Sequence, residues 1–208
     1  MKWVRQKHNV QVIEAYQDFE PSLDAKKVVQ RLLVGIPERY LHSLRSVILT
    51  NGSGLSREGR REKTTSRGHS VKISEARGLY QRAWQGQPAH VKLFVDSILL
   101  PWEIKNANIG VPSILKAIRR LWNRTSFSID FLFAQVLYHE IGHHIHQTQA
   151  PQHRERENVA EVWNQRLMKH YFFRKYWYMY PISIFTARIY MPLARIYRPL
   201  KDFVRRTK

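Results

Sequence analysis

The sequence predicts an α+β fold, and three observations carry that reading. Short runs rich in β-branched and aliphatic residues occupy the first half, above all Tyr40 to Thr50 and His90 to Leu99. Such runs fit a pleated, half-buried surface. Past Ser126 the pattern changes: Leu132, Val136, His139 and His143 recur at i, i+4, i+7 and i+11. That spacing draws one stripe down a helix and predicts a core-facing line. Glycine and proline clusters separate the segments. A helix, then strands, then two consecutive helices is an α+β order.

Each element follows from local chemistry. Residues 8–19 alternate in part and predict a strand or an arm, which Pro21-Ser22 breaks. Asp24 is the N-cap of a helix running to about Val34, with Val28, Val29, Leu32 and Leu33 on one side. Gly35-Ile36-Pro37 ends it, and Tyr40 to Thr50 is the first firm strand. Asn51 to Arg67 reads as a loop, because it mixes Gly52, Gly54 and Gly59 with solvated charges. A second strand is expected around Glu75 to Arg82, and His90 to Leu99 is the clearest one. Pro101 to Gly110 reads as a connection, and Pro112 opens a helix reaching about Trp122. Ser126 or Ser128 caps a helix over about 128–147; after Pro151 another runs from about Arg154 to Tyr171. The expected division is an arm at 1–23, a main domain at 24–170 and an extension at 171–208.

Composition narrows the chemistry. The chain has 208 residues, enough for one domain with extensions, and 43% hydrophobic residues supply a core. Cysteine is absent, so disulfides and thiolate metal sites are excluded; any metal is held by His and carboxylate. The formal net charge of +19 favours anionic partners: nucleic acid, anionic lipid or acidic protein. The polar start, Met1 to His8, has no apolar secretory region, and no run reaches the roughly 18 apolar residues of a spanning helix. These features predict a cytoplasmic protein.

The chemistry-bearing motif is His139-Glu140-Ile141-Gly142-His143. Two imidazoles four residues apart lie one above the other on a helix and reach one Zn²⁺ at about 2.0–2.1 Å each. Glu140 sits beside that face, placed to take a proton from an attacking water. Downstream, His153, Glu157 and Glu161 are the candidates for a third ligand. The metzincin pattern fails, since His146 and Gln149 stand where it needs Gly and His. An aspartate ligand fails too, with no Asp between Asp130 and Asp202. Glu157 and Glu161 are four apart, so one binds metal while the other accepts from a ligand histidine. The small Ala160 between them suits close helix packing. His144 and His146 point elsewhere in helical phase and read as bystanders.

HEIGH followed by ENVAE resembles the gluzincin zinc metallopeptidases, whose pattern is HExxH followed by ExxxD or ExxAD on the next helix. The likeness is greatest to the minimal members, the minigluzincins, and covers about residues 25–170. It implies a small zincin-like domain: a short mixed β-sheet packed on the HExxH helix and a following glutamate-bearing helix. It also implies one Zn²⁺ per chain, held by His139, His143 and Glu157, with Glu140 as general base in peptide hydrolysis. Glu161 stands at the usual Asp and is one methylene longer. The resemblance places an extended peptide or protein substrate against an edge strand, with Val91 to Ile98 the expected edge. His170, Tyr171 and Tyr176 are candidate donors to the oxyanion.

From Lys169 onward the chain has ten Lys or Arg and one acid, Asp202, interleaved with Tyr171, Phe172, Phe173, Tyr176, Trp177, Tyr178 and Tyr180. This predicts a helical basic aromatic extension, read as packing, as a peripheral anchor on anionic membrane, or as a nucleic-acid contact. Two other functional readings stand beside the peptidase. One resembles the SprT-like DNA-associated proteases, with His153 as the third ligand. The other is a latent or non-catalytic zinc-binding basic interaction protein.

Overall fold

The computed structural model describes residues 9–55, 63–66, 69–73, 76–104, 126–150, 152 and 157–179. The helix expected over Pro112 to Trp122 and the candidate ligand His153 lie outside them. The chain divides between Lys169 and His170 into two compact units.

Four strands form the main sheet of the first unit: β1 (Gln11–Glu14), β2 (Leu44–Thr50), β5 (Gly78–Gln81) and β6 (Ala89–Phe94), in the order β1-β2-β6-β5. β1, β2 and β6 are parallel, and β5 pairs antiparallel to β6. One row across the sheet reads Val12, Val47, Val91 and Tyr80. Val47, Leu49, Val91 and Leu93 are fully buried, while Ile48 and Lys92 alternate with them at partly exposed positions. One face of the sheet therefore carries the core. A separate hairpin pairs β3 (Lys63–Ser66) with β4 (His69–Lys72).

Helix α1 (Ala25–Leu33) starts where Asp24 accepts a hydrogen bond from the Lys27 amide at 2.8 Å. It buries Val28, Val29, Leu32 and Leu33, the side read from the sequence. α2 is Val95–Ile104, α3 Ser126–Gln149 and α4 Glu157–Lys175. α3 packs on β5, β6, α1 and α2, and Phe133, Ala134, Leu137, Tyr138, Ile141 and Ile145 on it are wholly buried. The architecture is a mixed sheet against the HExxH helix α3 and the glutamate-bearing helix α4, with a helical aromatic extension in the second unit.

Four expectations need correction. The strand expected over His90 to Leu99 stops at Phe94, and α2 takes over through the stretch Pro101–Ile104 that reads as a connection. A short, nearly all-apolar run has no period to separate a buried strand from a buried helix. The turn is fixed instead by Asp96, whose carboxylate accepts from the Gly52 amide at 2.9 and 3.0 Å. The loop over Asn51 to Arg67 contains strand β3, where charged neighbours mask the β-branched Thr64 and Thr65. β6 lies inside the sheet, so Val91 to Ile98 forms no edge; β5 does, among the described residues. Finally, the line Leu132, Val136, His139 is only partly buried and borders the core stripe of α3.

α1 and α3 are joined by a half-buried ion pair. Asp130 is fully buried, and the partly exposed Arg31 guanidinium forks onto its carboxylate through Nε and Nη2. Arg31→Met leaves that carboxylate in the core without its guanidinium, at an expected cost of about 1–3 kcal/mol. A urea midpoint equal to that of the parent contradicts this account; partial recovery in Arg31→Met with Asp130→Leu supports it.

Candidate metal centre

His139 and His143 stand on α3 and Glu157 opens α4. Their donor atoms converge. His139 Nε2 lies 3.2 Å from Glu157 Oε2 and 3.3 Å from His143 Nε2, and His143 Nε2 lies 3.8 Å from Glu157 Oε2. Three donors sharing a tetrahedral Zn²⁺ at about 2.0–2.1 Å stand about 3.3–3.4 Å apart. The set is compatible with a single Zn²⁺ site, and all three atoms fall within 4.8 Å of one another.

A carboxylate faces each nitrogen of the His139 ring: Glu157 Oε2 at 3.2 Å from Nε2 and Glu161 Oε2 at 3.5 Å from Nδ1. With a metal bound through Nε2 the ring proton would sit on Nδ1, where Glu161 accepts it. Burial is the main cause that holds His139 below the ordinary histidine pKa; His143 adds to it, and Glu157 and Glu161 oppose it. A neutral imidazole is the form that binds metal. Glu161 is held in turn by Asn164 Nδ2 and Gln165 Nε2, each donating at 3.4 Å.

Packing sets this geometry. A Cβ on Gly142 would meet the Ala160 carbonyl oxygen at 2.6 Å and its Cα at 2.9 Å. Glycine at 142 thus lets the backbone of α4 lie directly on α3, one turn from the ligands. The Tyr40 and Trp163 rings, 5.1 Å apart, hold α4 to the short 3-10 turn Glu38–Tyr40.

Glu140 is buried on α3, and β5 passes over it. A Cβ on Gly78 would meet Glu140 Oε1 and Cγ at 2.8 Å and Val136 Cγ1 at 2.6 Å. The bare backbone of β5 therefore borders the carboxylate. Gly78 was not evident as a site residue; the available signal was a glycine within a strand-like run, which marks close backbone approach.

His144 and His146 are outside the ligand cluster. His144 is fully buried, and its Nε2 donates to the His42 carbonyl at 2.8 Å while Nδ1 accepts from the Tyr80 hydroxyl at 3.2 Å. It joins α3 to the edge strand and to the turn before β2. His146 is buried too. The oxyanion candidates belong to the second unit. His170 is exposed; Tyr171 is buried, with Lys175 Nζ donating to its hydroxyl at 2.9 Å; Tyr176 is buried against Phe172.

Gly142→Ala is expected to push α4 away and weaken zinc binding by about 10–100-fold, measured by competition with a chromogenic chelator. Unchanged affinity contradicts the close-contact account. The second expectation concerns pH. Burial is the main cause that places the folded pKa of His144 below its ordinary 6.5, against the hydrogen bond to His42. The unfolded chain then binds more protons as pH falls through that value, so stability present above it is lost below it. Metal-free protein is expected to lose stability as pH falls below about 6.5, and His144→Gln to lose less. Equal slopes in urea titrations remove His144 from the account.

The three-residue cluster matches the gluzincin arrangement of HExxH plus a downstream glutamate. Comparison with known protein families, with curated proteins and with solved structures finds no match to this chain.

Proposed function

We propose that the protein is a zinc-dependent metallopeptidase. The observation that carries this reading is the convergence of His139 Nε2, His143 Nε2 and Glu157 Oε2 at separations compatible with a single Zn²⁺, with Glu140 next to His139 in the chain. Zn²⁺ held there supplies Lewis acidity and brings the pKa of a bound water toward about 7.

The chain's own residues do the rest. Glu140 takes the proton of the attacking water as it adds to the peptide carbonyl and passes it to the leaving amine. Burial and the backbone of β5 fix that carboxylate, which reduces the motion to be lost on reaching the transition state. Glu161 keeps the His139 ring oriented through Nδ1. β5 has β6 on one side and, among the described residues, no strand on the other. An extended peptide pairs along that outer edge, its backbone amides and carbonyls completing the ladder.

One panel of variants tests the reading. Glu140→Gln is expected to keep stoichiometric zinc while cleavage of a peptide library falls about 10²–10⁴-fold. Glu157→Ala is expected to lose zinc, and His153→Ala to keep it. Zinc retained in Glu157→Ala but lost in His153→Ala moves the third ligand to His153, as in the SprT-like alternative. Stoichiometric zinc with no cleavage of any peptide sinks the catalytic half.

A further inference from the structure

The end of α4 and the turn beyond it supply none of the three residues of the ligand cluster. Three large aromatic side chains stand in solvent there: Phe173 is 62% exposed, Trp177 67% and Tyr178 55%. Phe173 is in the last turn of α4, and Trp177 and Tyr178 are in the 3-10 turn Trp177–Met179 that follows it. Neighbouring rings brace this end. Tyr171 and Tyr176 are buried, Phe172 stacks on Tyr176 at 5.5 Å, and Tyr176 meets Tyr178 at 6.2 Å. Lys175 Nζ lies 5.0 Å from the centre of the Tyr176 ring. The exposed aromatics are therefore presented from a packed base, close to the exposed cations Lys169 and Arg174.

We infer that this aromatic end binds the surface of an anionic lipid bilayer. Indole and phenol rings have an apolar body and a polar edge, which suits the headgroup boundary. Lys and Arg beside them gain from anionic headgroups. The segment from Lys169 to Lys208 supplies ten such cations against the single Asp202. Lipid is favoured over nucleic acid because the same segment is also rich in aliphatic residues, among them Ile182, Ile184, Ile189, Leu193 and Ile196. Aliphatic side chains gain from hydrocarbon and offer a base no stacking face. Among the described residues no helix is long and apolar enough to cross a membrane. The inference is independent of the peptidase reading.

Co-sedimentation of the full chain with vesicles tests it. Binding is expected to vesicles of phosphatidylcholine with about 30% phosphatidylserine and not to phosphatidylcholine alone. Raising the salt to about 0.5 M is expected to weaken it at least tenfold, through screening of the cationic contribution. Phe173→Ala with Trp177→Ala is expected to weaken it by roughly tenfold or more, while Trp84→Ala, an exposed aromatic of the first unit, leaves it unchanged. A second readout needs no variant: lipids brominated near the headgroup quench the tryptophan fluorescence of the parent protein. Equal binding to neutral vesicles, full binding by the double variant, or absence of quenching overturns the inference. So does an oligonucleotide that displaces the protein from vesicles and whose own binding the double variant loses.

Discussion

The metal centre depends on how closely two helix backbones approach. Neither histidine meets Glu157 unless α4 lies against α3, and that contact exists because Gly142 has no side chain and Ala160 almost none. The donor separations of 3.2, 3.3 and 3.8 Å follow from that approach. Packing thus gathers two imidazoles and a carboxylate at separations compatible with one shared cation.

α3 is correspondingly divided. Its buried stripe, Phe133 to Ile145, anchors it to the sheet and to α1, while the ligands occupy the border of that stripe. A ligand set wholly inside the core would be closed to an entering ion; one on the outer face would lack the desolvation that lowers the pKa of His139. His144 ties the same helix to Tyr80 on the edge strand and Gly78 lets that strand touch Glu140. The two histidines, Glu140 and the edge strand are thereby referenced to one helix.

Much of this was legible in the sequence where a local rule governs. Asp24 caps α1, and the HExxH spacing and the Glu157/Glu161 pair give the cluster and its neighbour because helical periodicity fixes who shares a face. Ala160 was legible as a small residue at a close crossing. What escaped depends on partners far along the chain. Nothing local tells Val95–Ile98 to leave the strand; that follows from Asp96 binding the Gly52 amide. Nor does local pattern say that β6 pairs on both sides, which hands the edge to β5. His144 lies outside the ligand cluster, as its helical phase predicts, while its contacts with Tyr80 and His42 depend on residues far along the chain.

The ion pair between Arg31 and Asp130 also bears on the order of assembly. Its partners are 99 residues apart, and the bond from the Tyr138 hydroxyl to the Leu32 carbonyl spans 106. Loops of that length are closed before the contacts that reward closure exist, which makes docking of α3 a slow, non-local step. During synthesis α1 and all four strands of the main sheet emerge before the HExxH helix, and Glu157 follows it. The strands are synthesised first, and the residues of the metal centre are among the last of the first unit to emerge.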